Sequence, residues 1–235
     1  MTNEFVPEPE MDQATSDLWQ KGIDDFLKKD GIFKPEKKRI PRRVEVGVNL
    51  TDLGNARRFI SEHGRDIRYC YPWGKWLLWN GRHWHEDTLG EIYRRGKDVI
   101  RLILKEASNE TDDKRRRELE FFSLRCESQS KLWAMIKLAE SETPILPEEF
   151  NRDPWLLNLQ NGTLNLSTGT LKAHDRDDLI SKKSPVEYDP EATCPGWLEH
   201  LNKIMAGSQE KIGFLKRFYG YCLTGITDER VLMLQ

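Results

Sequence analysis

The sequence has no run of about eighteen apolar residues, the minimum for a membrane-spanning helix. Its first residues, MTNEFVPEPEMD, are acidic and proline-containing where a secretory signal would be apolar. A cytoplasmic protein with no membrane partner is expected. Cysteine is scarce: Cys70, Cys126, Cys194 and Cys222 stand singly, with no C-x-x-C pair and no histidine placed to complete a metal set. They read as reduced core thiols. No charge of one sign dominates, since 37 Lys and Arg face 39 Asp and Glu, so whole-chain charge does not mark a nucleic-acid binder. A local patch can still be hidden in that sum.

A phosphate-binding loop is also missing. Gly90, Gly96 and Lys97 imitate one, but five residues separate the glycines instead of four. Asp98 stands where a Ser or Thr should hold magnesium, and the surrounding residues have helical spacing. No cofactor is expected in this chain. No nucleophilic catalytic set emerges either: His63, His174 and His200 have no nucleophile near them in sequence. His83 and His85, followed by Glu86 and Asp87, can share a strand face, yet no third metal ligand is placed. Catalytic and metal residues are therefore expected to be none.

What is present is organised in four stretches. Residues 1–48 read as a largely disordered arm with one short amphipathic helix carrying Leu18, Trp19, Ile23, Phe26 and Leu27, followed by a linker. In residues 28–43 eight Lys or Arg outweigh Asp30 and Glu36, with two prolines and a glycine between them. Lys37, Lys38, Arg39, Arg42 and Arg43 could neutralise DNA phosphates, although a charge run is also simply a solvated segment.

Residues 49–148 read as a helical accessory region with an aromatic hairpin. Thr51 or Asp52 caps a helix with Leu53, Ala56, Phe59 and Ile60 on one side, ended by Gly64. Asn80-Gly81 predicts a two-residue turn between WGKWLLW and RHWHE. Residues 89–107 return to helical spacing. The polar stretch SNETDDKRRRE then separates a further helical region, with Leu132, Trp133, Ile136 and Ala139 as its buried stripe. Trp73, Trp76, Trp79 and Trp84, with Tyr69 and Tyr71, form an aromatic group. It has two readings: core of a small sheet, or a platform on which single-stranded bases stack. Strand alternation would expose one or two of the four tryptophans, and Trp73 and Trp76 are the candidates for DNA contact.

Residues 149–193 predict a three-stranded meander over 155–160, 163–166 and 170–174, turning at Asn161-Gly162 and Ser167-Thr168-Gly169. Residues 194–235 predict two helices, the first carrying Trp197, Leu198, Leu201, Ile204 and Met205, the second Ile212, Phe214, Leu215, Phe218 and Tyr219. The apolar run VLML after them has the pattern of a strand covered on both faces. The fold expected is α+β, mostly helical, with two small antiparallel units.

Two segments carry a resemblance. DPWLLNLQNGTLNLSTGTLKAHDRDDLISKKSPVEYDPEATCPGWLEHLNKI and EKIGFLKRFYGYCLTGITDERVLMLQ resemble the region before the ATPase core of phage and plasmid replication primase-helicases. These form the satellite-phage and poxvirus-like branch of the superfamily 3 helicases, and the likeness reaches upstream through ARRFISEHGRDIRYCYPWGKWLLWNGRHW. The resemblance implies that VLMLQ is the strand that starts an AAA+-like ATPase core and that the chain is truncated before the Walker A loop. ATP and magnesium are then expected only for the missing motor domain. It further implies partners: single-stranded or forked DNA, and hexameric helicase subunits or other replication proteins. The implied role is to position DNA, brace the ring or bind proteins, without catalysis. The alternative is a stand-alone single-stranded DNA-binding or regulatory module that associates with an intact helicase.

Overall fold

The structure, a computed structural model, describes residues 49–226. The amino-terminal helix, the basic residues Lys37, Lys38, Arg39, Arg42 and Arg43, and the apolar run at 231–234 lie outside the described residues.

Helix α1 (Asp52–His63) starts where the Thr51 hydroxyl accepts the Gly54 N–H at 3.1 Å, and Asp52 in its first turn complements the helix dipole. Its apolar residues Ala56, Phe59 and Ile60 fall one helical turn apart and are buried. Three strands follow, β1 (Ile67–Cys70), β2 (Lys75–Trp79) and β3 (Trp84–Glu86), paired antiparallel in that order. The expected hairpin is thus a three-stranded sheet. Its second connection also differs from expectation, because Trp79 pairs with Trp84 and residues 80–83 form the loop. The Asn80 carboxamide oxygen accepts the N–H groups of Arg82 and His83, each at 3.0 Å, so the asparagine closes its own turn with its side chain. The outer edge of β1 is covered in part by a parallel bridge from Tyr69 to Pro144.

Helix α2 (Glu91–Asn109) is capped from a distance: the Asp87 carboxylate accepts the N–H groups of Glu91 and Ile92 at 2.8 and 2.9 Å. Gly96 lies inside it, buried against α4 (Gln129–Ala139), where an added Cβ would come 2.8 Å from Leu132 Cδ1. Close helix packing accounts for that glycine. Helix α3 (Asp113–Cys126) begins inside the stretch read as a polar separator, because Asp112 accepts the Lys114 N–H at 3.0 Å and caps it. It breaks before Ser128, which caps α4. On α4 the buried residues are Met135, Ile136 and Ala139, whereas Trp133 is exposed. One residue is about 100° of helix rotation, enough to turn Trp133 away from α1 and α2.

The first core lies between these helices and one face of the first sheet, where Trp76 and Leu78 of β2 meet Phe59, Ile92, Val99 and Met135. Leu77 points the other way and joins Cys70, Trp84, Ile145 and Phe150. Both faces of β2 are therefore covered, which explains its unbroken apolar run.

The meander forms as expected, with β4 (Leu156–Asn158), β5 (Thr163–Asn165) and β6 (Thr170–Lys172) antiparallel in chain order. The segment that follows it is tied to the first sheet by Trp84, whose backbone N–H donates to the Ile180 carbonyl at 2.9 Å and whose indole N–H donates to the Arg176 carbonyl at 2.9 Å. Helices α5 (Pro195–Ile204) and α6 (Gln209–Leu223) turn at Ala206 and Gly207, both with positive φ. They bury only Leu201, Ile212 and Leu215 between them. For that reason Cys194 and Cys222, expected in a core, are exposed; Cys70 and Cys126 are buried as expected. The fold is α+β, mostly helical, and no helix among the described residues is long and apolar enough to cross a membrane.

Candidate nucleic-acid interface

The aromatic group divides between core and surface. Trp76 is 9 % exposed, with the Phe59 ring edge-on at 6.5 Å and the Tyr69 ring at 5.1 Å, so it serves the core and offers no face to a base. Trp84 is fully buried beneath the Arg68 guanidinium, 4.9 Å above its ring. Trp79 is half-buried beside it, with ring centroids 5.9 Å apart. The β1–β2 loop carries the other two members. Trp73 is 46 % and Tyr71 54 % exposed.

Trp73 is not a loosely held side chain. Its ring lies 6.2 Å from that of Phe150 at 13°, a near-parallel stack that covers one face and fixes the indole's orientation. Tyr71 is held edge-on to Tyr69 at 4.8 Å. Gly74, with φ of 63°, completes the turn that places both rings at one tip. Rigid, half-exposed aromatic rings at a sheet end are suited to stacking on nucleic-acid bases.

A second group gathers at the opposite end of β2, where the first sheet meets the meander. Gln160, at the β4–β5 turn, accepts from Arg82 Nη1 at 3.1 Å and from Lys183 Nζ at 2.8 Å on the same carboxamide oxygen. Its backbone carbonyl faces His174 Nε2 at 3.4 Å. His83 and His85 lie 6.0 Å apart, ring to ring. Burial, and then the nearby charges of His85, Lys183 and His174, hold the His83 imidazole below the ordinary histidine range. Buried Asn158 holds this seam in shape by donating to the Arg82 carbonyl at 3.0 Å and to the Lys182 carbonyl at 3.1 Å.

Of these residues only His83 and His85 stand out in the sequence, and as a strand-face pair. Arg82, Gln160, His174 and Lys183 come from separate segments, and no spacing announces their convergence. Among the described residues no group of three or more His, Cys, Asp or Glu is placed to hold a metal.

Asp66, Glu86 and Asp178 have cationic partners of their own. Lys172 meets Asp178 at 2.6 Å, and Lys75 meets Glu86 at 2.8 Å. Arg176 pairs with Asp66. Burial pushes the Asp178 carboxyl up, while its bond to Lys172 opposes that shift.

The comparisons with known proteins agree with the resemblance carried by the meander and the segments around it. No curated protein matches the chain. The family described as D5 N terminal like matches residues 56–206, which takes in most of α1, both sheets and α5. That match spans more than half of the sequence, so the chain belongs to this family, the N-terminal domain of D5-like phage and plasmid primase-helicases.

Proposed function

We propose that this region positions single-stranded or forked DNA for a replication primase-helicase and performs no catalysis itself. The observation that carries the reading is the exposed, oriented pair Tyr71 and Trp73 on a domain of this family. Stacking on such rings is tolerant of sequence, as a replication protein requires. The basic residues Lys37, Lys38, Arg39, Arg42 and Arg43 would add phosphate contacts from the preceding segment. ATP and magnesium serve, on this reading, a superfamily 3 ring motor acting with this region.

Anisotropy of a labelled single-stranded oligonucleotide, together with Trp fluorescence, tests the proposal. The chain should bind with quenching, and Trp73→Ala combined with Tyr71→Ala should weaken binding by roughly 1–3 kcal/mol per lost stack. Unchanged affinity in that variant would remove the stacking role.

A second reading, bracing of a ring or binding of replication proteins, is favoured by the exposed aromatic face of α5 and α6. There Trp197 touches Tyr219 at 6.0 Å, Tyr219 touches Phe218 at 6.0 Å, and Phe218 stacks on Phe214 at 6.4 Å.

A further inference from the structure

Two cations that share one neutral oxygen are unusual within this molecule. Several tertiary contacts among the described residues give a cation a carboxylate: Arg58 with Glu106, Lys131 with Asp52, Lys172 with Asp178, Arg176 with Asp66. At the seam, Arg82 and Lys183 both point at the Gln160 carboxamide, and neither is in an ion pair among the described residues. His83, His85 and His174 stand around them, and every charge that shifts His83 is a positive one. Like charges held this close repel one another, and the carboxamide dipole answers only part of that repulsion.

From this arrangement we infer that the seam formed by Arg82, His83, Gln160, His174 and Lys183 is a binding site for a backbone phosphate of nucleic acid. A phosphodiester brings one negative charge and anionic acceptor oxygens, whereas Arg82 Nη1 and Lys183 Nζ now share a single neutral acceptor. His83 would take up a proton as the anion arrives and become a further donor. Arg82 is exposed and His83, Gln160, His174 and Lys183 are half-buried, so the group can be reached by a strand that passes along its Arg82 side. The seam and the Tyr71–Trp73 tip sit at opposite ends of β2, a span of about 16 Å at the usual strand rise. One end would hold phosphate and the other would stack bases. The site thus rests on the DNA reading above and gives it a second anchor.

Gln160→Glu is the decisive variant, because a carboxylate would then lie between Arg82 and Lys183. It would cancel one of the seam's two fixed positive charges and add an ion pair, so lost binding could not be attributed to unfolding. In the full chain this change should weaken oligonucleotide binding about tenfold or more at low salt and flatten the dependence of log K on log salt by about 1. Arg82→Gln with Lys183→Gln should do the same, whereas Lys172→Gln, whose partner is Asp178, should leave the salt slope as it was. In parallel, NMR of the His83 imidazole should show its titration moving to higher pH with oligonucleotide. Binding and slope unchanged in Gln160→Glu would overturn the seam, and if Trp73→Ala with Tyr71→Ala still weakened binding the DNA reading would stand. Failure of the wild-type chain to bind any oligonucleotide would overturn both. Inorganic phosphate moving the His83 titration while oligonucleotide neither does so nor competes would show a free-phosphate site and overturn the nucleic-acid assignment.

Discussion

His63 and His83 illustrate how individual side chains set the response of this domain to acid. Burial, and next the charge of Arg95, hold the His63 imidazole below the ordinary range, and its Nε2 is buried without a hydrogen-bond partner. His83 is lowered by burial and by its cationic neighbours. An unfolded histidine takes its proton near pH 6.5, but these two accept theirs only at lower pH in the folded chain. Between those pH values the unfolded state binds more protons, so stability rises with pH there. It is fully present above about pH 6.5 and is lost as pH falls through the folded values. Chemical denaturation at pH 7, 6 and 5 should therefore show declining stability. His63→Gln with His83→Gln should flatten that decline; an equal slope in the variant would assign the acid response to other groups.

At the scale of elements, the meander shows a turn whose residue type is dictated by approach and not by the turn alone. Gly162 stands at the β4–β5 connection, where a Cβ would come 2.5 Å from the Lys172 backbone carbonyl oxygen and 3.0 Å from the Leu171 side chain. Neither strand can give way without disturbing the β5–β6 pairing of Thr163 with Lys172. Gly162→Ala should cost about 1–3 kcal/mol in equilibrium denaturation, the usual range for overpacking. Gly196→Ala, in the first turn of α5 with nothing within 4 Å of the added carbon, is the control and should be neutral or slightly stabilising. Equal effects at the two positions would show that contact with β6 is not what selects glycine at residue 162. The Asn-Gly signal announces a turn here but is silent about the neighbouring strand. That distinction belongs to packing.

For the molecule as a whole, the unusual feature is a helix pair whose apolar side chains outnumber the few it buries. Trp197, Leu198, Ile204, Phe214, Tyr219 and Leu223 are all exposed, Trp197 meets Tyr219, and half-buried Phe218 links Tyr219 to Phe214. A continuous surface of this kind is expected at a protein interface. If it brings copies of the chain together, as ring bracing requires, sedimentation should show concentration-dependent association. Trp197→Glu with Phe214→Glu should return the chain to a monomer without affecting oligonucleotide binding. A wild-type chain that stays monomeric at high concentration would direct this face to a different protein.

Most helices, the meander and the family were legible in the sequence because each rests on local signals, whereas β1 and the start of α3 were not. Thr51, Asp112, Ser128 and Ser208 cap helices through their own side chains, and apolar period marks the faces to be buried. Local signals failed where two solutions were equally good. Asn80-Gly81 suits a two-residue turn, but the Trp79 to Trp84 pairing chose a longer one. The apolar character of Trp73, Trp76 and Trp133 could not say which would be covered. That depended on which helix or sheet came to lie opposite each ring.

The sequence by itself determined the mixed fold class, the buried faces of most helices, the three-stranded meander and the membership of the primase-helicase family, since these follow from caps, periodicity and motifs within short stretches. Only the tertiary structure decided that Trp76 serves the core while Trp73 faces outward, and that Arg82, His83, Gln160, His174 and Lys183 meet. The physical reason is that burial and charge convergence are properties of surfaces brought together from distant segments, and no single segment contains them.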